Sequence, residues 1–320
     1  MLGFTIDSIT LFVSHNDFGV SELEYLSKKL KDLRSLKRNK EKGWKVGYYK
    51  NFQVKYHLDY GIYISGSISN YAASYNNILS YSQFPHAIEK LGKELGLPLH
   101  TARLYRVDLA LNIEVNNPIQ QYSHYLFSDL PHFERLEQSD GVRFETDKIR
   151  IAIYNKSKEV WKRRNIKIAK DILRIEFRVM KGLPEVLGIK NLRIEHLFQP
   201  EVYGILLDKF SEYYYKIKKS NVVKSLEELN NITPKQFGEY SWVLNMTEAQ
   251  AYRMIEQLGK EGKFKSSQDK SRCRKMVREI FSNLSLVKPH HLVEELDRKV
   301  ENYLLTEKKL KKYRINFVIP

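Results

Sequence analysis

Three segments of this chain repeat with a period of two residues, and that period limits what they can fold into. In residues 105–113 (YRVDLALNI), Val107, Leu109, Leu111 and Ile113 fall on one side, with Arg106, Asp108, Ala110 and Asn112 on the other. In residues 148–156 (KIRIAIYNK), Ile149, Ile151 and Ile153 oppose Arg150, Ala152 and Tyr154. In residues 173–179 (LRIEFRV), Ile175, Phe177 and Val179 oppose Arg174, Glu176 and Arg178. Successive side chains of a strand point to opposite faces, so each segment predicts a strand with one buried and one polar face. As neighbours in one sheet, the three would gather two carboxylates, a tyrosine and several arginines on one polar surface.

The rest of the first two hundred residues reads as further strands with interposed helices. Residues 54–64 (VKYHLDYGIYI) alternate like a strand, as do 9–13, and 142–144 begin a second group. Ala87, Ile88, Leu91 and Leu95 predict an amphipathic helix over 84–95, with Gly96 as its stop. Beyond about residue 200 the alternation fades, and residues 201–219, 247–259, 267–283 and 289–305 read as helices. Thr247 with Gln250 is a capping box at the start of one of them. The expectation is an α+β fold with an antiparallel sheet in residues 1–200, followed by a mainly helical, basic domain in 201–320.

Lys and Arg number 54 against 38 for Asp and Glu, a surplus of 16 that favours a polyanionic partner. Over half of it lies in residues 148–181, where 12 basic residues meet Glu159, Asp171 and Glu176. A single cysteine, Cys273, excludes a disulfide framework or a Cys-rich zinc module. No apolar run approaches the ~18 residues of a spanning helix, so a cytoplasmic protein without membrane association is expected. On such a basic face, two hard carboxylates (Asp108 and Glu176) suit Mg²⁺ or Mn²⁺, and Tyr154 would be a phosphodiester nucleophile. A tyrosine hydroxyl has an ordinary pKa of ~10 and needs a nearby cation such as Lys156. Taken singly, these residues have plainer readings. Asp108 beside Arg106 is a surface ion pair worth ~0–1 kcal/mol, and Tyr154 is one of 21 tyrosines.

The run ISGSISNYAASYNN (64–77), then YRVDLALNI, IYNKSKEV and LRIEFRV, in that order, resembles the gene II/X family of replication initiators of filamentous phages and related plasmids. The resemblance spans about residues 45–185. It implies rolling-circle initiation: nicking of one strand at the origin, a 5′-phosphotyrosyl intermediate and a free 3′ hydroxyl that primes synthesis. It further implies Tyr154 as the nucleophile, Asp108 and Glu176 as metal ligands, and Lys156 and Glu159 as the remainder of the motif. The His-hydrophobic-His metal motif of the wider class of rolling-circle nickases is absent. His57 stands as a possible third ligand or as an exposed histidine, and His290 and His291 read as capping or solvent-facing.

The expected partners are single-stranded and double-stranded origin DNA. Arg106, Arg150, Lys158, Lys162, Arg163, Arg164, Arg174 and Arg178 are the candidate contacts, and Trp161 is a candidate stacking residue. A second basic stretch, 28–50, mixes lysines with Trp44, Tyr48 and Tyr49. Residues 247–278 are compatible with a helix-turn-helix-like duplex reader. No P-loop is present, so unwinding and synthesis would fall to a host helicase and polymerase. The competing readings are a DNA-binding regulator that does not cut and a plasmid-mobilisation relaxase.

Overall fold

The structure is a computed structural model that describes residues 2–36, 43–73, 78–128, 133–168 and 170–314. The chain forms two compact units. One comprises Met1–Ile119, His132–Tyr215 and Lys299–Pro320, the other Gln120–Pro131 and Lys216–Arg298. The expected single cut near residue 200 therefore runs differently: residues 200–215 and 299–314 group with the sheet, and 120–128 with the second unit.

In chain order the strands are β1 (Gly3–Ser14), β2 (Lys31–Ser35), β3 (Lys45–Tyr49), β4 (Phe52–His57), β5 (Gly61–Ser67), β6 (Arg103–Glu114), β7 (Leu126–Ser128), β8 (Glu134–Gln138), β9 (Gly141–Glu145), β10 (Ile149–Asn155), β11 (Ile172–Val179), β12 (Ile217–Lys219), β13 (Asn221–Val223) and β14 (Val287–Pro289). Ten of them make one sheet in the order β2-β3-β4-β5-β1-β6-β11-β10-β9-β8. All its pairings are antiparallel. The α+β architecture with an antiparallel sheet is thus as expected. The two-residue period drives it, because each strand can bury one row of Ile, Leu, Val and Phe only by pairing edge to edge. The three segments first singled out are adjacent, as β6, β11 and β10.

One face of the sheet is apolar and covered by helices. The helix Phe84–Leu95 buries Phe84, Ala87, Ile88, Leu91 and Leu95 and ends at Gly96. From the helix Pro200–Lys216, the Phe210 ring meets that of Phe4 edge-on at 5.0 Å, and Tyr213 stacks on Phe177 at 5.5 Å. The reading of residues 54–64 as one strand is corrected. A turn over 58–60 splits them into β4 and β5, which pair as a hairpin. Gly61 makes this possible: it adopts φ +139°, and a side chain there would meet the Val13 carbonyl at 2.3 Å.

The second unit holds the helices Pro234–Val243, Glu248–Lys260 and Ser267–Phe281, with β7 paired to β12 and β13 to β14. Tyr240, Val243, Ala251, Ile255, Val277, Phe281 and Leu286 are its core. Thr247 caps the second of these helices, its hydroxyl accepting from the Gln250 amide while the Gln250 side chain accepts from the Thr247 amide. Among the described residues, no helix is long and apolar enough to cross a membrane.

Gly141 lies opposite Tyr154 in the ladder, and a Cβ there would sit 2.0 Å from the Ile153 carbonyl oxygen and 2.6 Å from Tyr154 Cα. Gly141→Ala is therefore expected to force β9 from β10 and to cost about 2 kcal/mol, as overpacking does. Urea unfolding of the two proteins measures it.

Candidate active site on the polar face of the sheet

The ladder registers define rows across the polar face. Tyr154 lies opposite Arg174, which lies opposite Asn112. Ala152, Glu176 and Ala110 form the next row, and Arg150, Arg178, Asp108, Ser8 and Ser67 the one after. Small residues flank Glu176 on both sides, which leaves room for the long side chains above and below it. Tyr154 stands where β10 ends. The next residue, Asn155, caps the helix Lys156–Arg164 by accepting a hydrogen bond from the Lys158 amide at 2.8 Å.

The Tyr154 hydroxyl donates to Glu176 Oε2 at 3.3 Å. Arg178 spans two carboxylates, its Nε 2.9 Å from Asp108 Oδ2 and its Nη2 2.6 Å from Glu176 Oε1. Arg106 grips Asp108 through both Nε, at 2.8 Å from Oδ1, and Nη2. Lys156 Nζ donates to Glu159 Oε2 at 2.5 Å, and Arg163 lies 3.1 Å from the same carboxylate. Beneath the phenol, Arg174 is buried, with its Nη2 2.8 Å from Asp7 Oδ1 and its Nε 3.9 Å from Glu176.

Asp7 escaped the sequence reading. The buried hydrophobic residues of β1 are Phe4 and Ile6, then Ile9, Leu11 and Val13, a skip of three where two is the rule. The skip marks a β-bulge between Ile6 and Ser8 against β6, which turns both Asp7 and Ser8 to the polar face. That phase break was visible in the sequence. Ser69 Oγ donates to Asp7 Oδ1 at 2.6 Å and Ser8 Oγ to Oδ2 at 3.1 Å. Burial pushes the Asp7 carboxyl up, but Arg174, Ser69 and Lys156 outweigh it and bring its pKa down to about 2.

Burial pushes the Tyr154 phenol well above its usual range. Arg174 opposes this, while Glu176, Glu159 and Asp7 add to it. The cation that favours the phenolate is thus Arg174, with Lys156 held by Glu159. Burial and Arg174 together lower the Lys156 pKa, against Glu159 and Asp7. Burial likewise raises that of Asp108, countered by Arg106 and Arg178.

Of the expected DNA contacts, Arg106, Arg174 and Arg178 belong to this cluster, and Arg150 pairs with Glu145 at 2.7 Å. Lys158 and Lys162 flank Asp140 at 2.6 and 2.7 Å. Arg163 and Trp161 are exposed, Trp161 by 53%, and the side chain of Arg164 lies outside the described residues. His57 contacts Trp44, Asp59 and Tyr60. His290 caps the helix His291–Arg314, its Nδ1 accepting from the Leu292 amide at 3.2 Å.

Whether the cluster suits a divalent ion turns on its donors. Asp108 and Glu176 are hard oxygen ligands, but both Asp108 oxygens and Glu176 Oε1 are taken by guanidinium groups. Asp7, Asp108, Glu159 and Glu176 face Arg106, Lys156, Arg174 and Arg178, so the formal charges already cancel. Among the described residues, no group of three or more His, Cys, Asp or Glu side chains is placed to hold a metal ion. In this arrangement the residues do not fit Mg²⁺ or Mn²⁺ unless Arg178 leaves.

No protein-family model matches the sequence, and no curated protein does. Among solved structures, the chain is similar to a rolling circle replication initiator protein from Geobacillus stearothermophilus. The identity is 14%, over 65% of this chain and 85% of that one, with a TM-score of 0.38.

Two outcomes are expected. Asp7→Asn removes the charge facing Arg174 and should cost about 2 kcal/mol near neutral pH. Because the Asp7 pKa is depressed on folding from 3.8 to about 2, the advantage of the wild type is full above pH ~4 and lost as pH falls toward ~2. Urea unfolding across that range reads it. In the DNA-free protein, Arg178→Gln should raise Mn²⁺ affinity about tenfold by freeing the carboxylates, as electron paramagnetic resonance of unbound Mn²⁺ would report.

Proposed function

We propose that this protein initiates rolling-circle DNA replication by cutting one strand at an origin with Tyr154. The observation that carries the reading is the phenol of Tyr154, hydrogen-bonded to the Glu176 carboxylate beside a buried arginine, on the polar face of the sheet. The blocks YRVDLALNI, IYNKSKEV and LRIEFRV support it in sequence.

The Tyr154 oxygen attacks the scissile phosphorus in line, and its proton passes to Glu176. Arg174 favours the phenolate that this transfer creates. The incoming phosphate competes with Asp108 for Arg106 and Arg178, whose guanidinium groups stabilise the charge that builds on the non-bridging oxygens. The bond from phosphorus to the 3′ oxygen breaks. Lys156, acidified by burial, supplies the proton that makes the leaving oxygen a 3′ hydroxyl. The phosphotyrosyl bond keeps the phosphodiester energy for later rejoining. Asp108 orients the two arginines, and the half-buried Lys158 with the exposed Lys162 and Arg163 hold the flanking backbone. In the second unit, the exposed Arg272, Arg274 and Lys275 of the helix Ser267–Phe281 form a basic surface for duplex DNA.

Incubation with DNA that carries the protein's own origin, with and without Mn²⁺, tests the reading on a denaturing gel. A covalent 5′ adduct on Tyr154 is expected, absent in Tyr154→Phe while DNA binding persists. Binding without an adduct on a verified origin would overturn it in favour of a regulator that does not cut.

A further inference from the structure

The polar face continues past Asp108 onto β1, β5 and β4, and there its character changes. Thr10 lies opposite Arg106, and its hydroxyl is 2.9 Å from that of Ser65. Beyond this hydroxyl belt stand aromatic rings. Phe12, Tyr63 and Tyr105 form a triangle with centroids 4.7, 5.7 and 6.0 Å apart. Trp44 lies 5.8 Å from Tyr63 and nearly parallel to Tyr60 at 6.2 Å, and His57 adjoins Tyr60. Lys55 sits 4.9 Å above the Trp44 ring.

These rings are not part of the hydrophobic core. Phe4, Phe52, Phe84, Phe177 and Phe210 pack on the opposite face and are fully buried. Tyr105 and Tyr60 leave 45% and 62% of their surface in solvent. An aromatic group this open, on a sheet face that also carries Lys55, Arg106 and Arg178, presents flat apolar surfaces beside guanidinium and ammonium groups. That combination matches a polyanion whose apolar rings are free to stack, which is unpaired DNA and not a duplex whose bases are stacked on one another.

We propose that Trp44, Tyr60, Tyr63 and Tyr105 form a stacking platform for the unpaired bases that adjoin the cut. The proposal deepens the reading of Tyr154 as the cutting residue and rests on it only for where the strand is cut. Tyr154 on β10 and Tyr63 on β5 are four strands apart, about 19 Å at ordinary interstrand spacing. Arg178 and Arg106 line the interval and are partly exposed, so phosphates would follow these guanidinium groups while bases settle on the rings. The platform would keep the DNA around the nick single-stranded without reading its sequence.

Fluorescence anisotropy of the full chain with a short labelled oligothymidylate tests this. Tyr60→Ala and Tyr105→Ala are each expected to weaken binding about tenfold, and Tyr60→Phe and Tyr105→Phe to stay within about twofold of the wild type. Duplex of the same length should bind all five proteins alike. Replacing the thymidines by abasic spacers, at an unchanged number of phosphates, should erase the difference between wild type and the alanine variants. Alanine variants that bind oligothymidylate like the wild type, or that lose single strand and duplex equally, would overturn the platform. Both alanine changes lie at exposed rings, and thermal unfolding by circular dichroism checks their folding. Tyr154→Phe should bind oligothymidylate normally, so failure of the platform and failure of the cutting reaction are read in separate assays.

Discussion

A guanidinium buried under a sheet face has to be balanced, and much of this molecule follows from balancing Arg174. Its charge lies beneath Tyr154, out of water, where an unpaired ion would cost several kcal/mol. Asp7 answers it at 2.8 Å, and Asp7 reaches it only because β1 bulges there. Ser69 and Ser8 then satisfy the oxygens of Asp7. Glu176 completes the other side and takes the phenol as its donor. The strands β1, β6, β11 and β10 are thus tied not only by ladder hydrogen bonds and apolar packing but by one chain of alternating charges across their polar side.

The same balance sets what the surface can recruit. A neutral cluster of four acids and four cations has little pull on a free cation, but its arginines can exchange one anion for another. A phosphate arriving from solvent offers Arg106 and Arg178 the kind of bidentate partner they already hold in Asp108. On the proposed reading, a preference for a phosphodiester over a loose cation follows from this balance. Around the cluster, Lys162, Arg163, Lys167 and Lys170 stand in solvent and extend the positive surface.

The sequence spoke most clearly where one rule acted alone. For β10, β11 and β6 from Arg106 onward the alternation was unbroken, and it placed Asp108, Tyr154, Glu176 and their arginines on a common face. It also carried the fold class, and the helix Phe84–Leu95 was legible from its apolar spacing and its glycine. Where two rules overlapped, it was harder to read. Residues 54–64 kept their alternation through a hairpin, because the turn over 58–60 placed Leu58 and Tyr60 where the pattern asked for apolar residues; only Gly61 betrayed the reversal. Asp7 hid in a change of phase that a search for strict period two passes over. The helix Pro234–Val243 has a weakly apolar face, though Thr233, Pro234 and Gln236 marked its start. The division into units was illegible for a different reason. Leu126–Ser128 pair with Ile217–Lys219, about ninety positions away, a matter of tertiary contact that local pattern does not encode.

Tyr154 is flanked on both sides by paired backbone, Arg174 in one neighbouring strand and Gly141 in the other, and the helix that follows begins at the very next turn. A side chain on a loop could carry an attached strand through an arc; this one has no such freedom. On the proposed reading, a DNA end joined to it is moored, and the search that precedes rejoining is made by the other end. The length and stiffness of the displaced strand, more than any motion of the protein, would then govern how soon a circle closes.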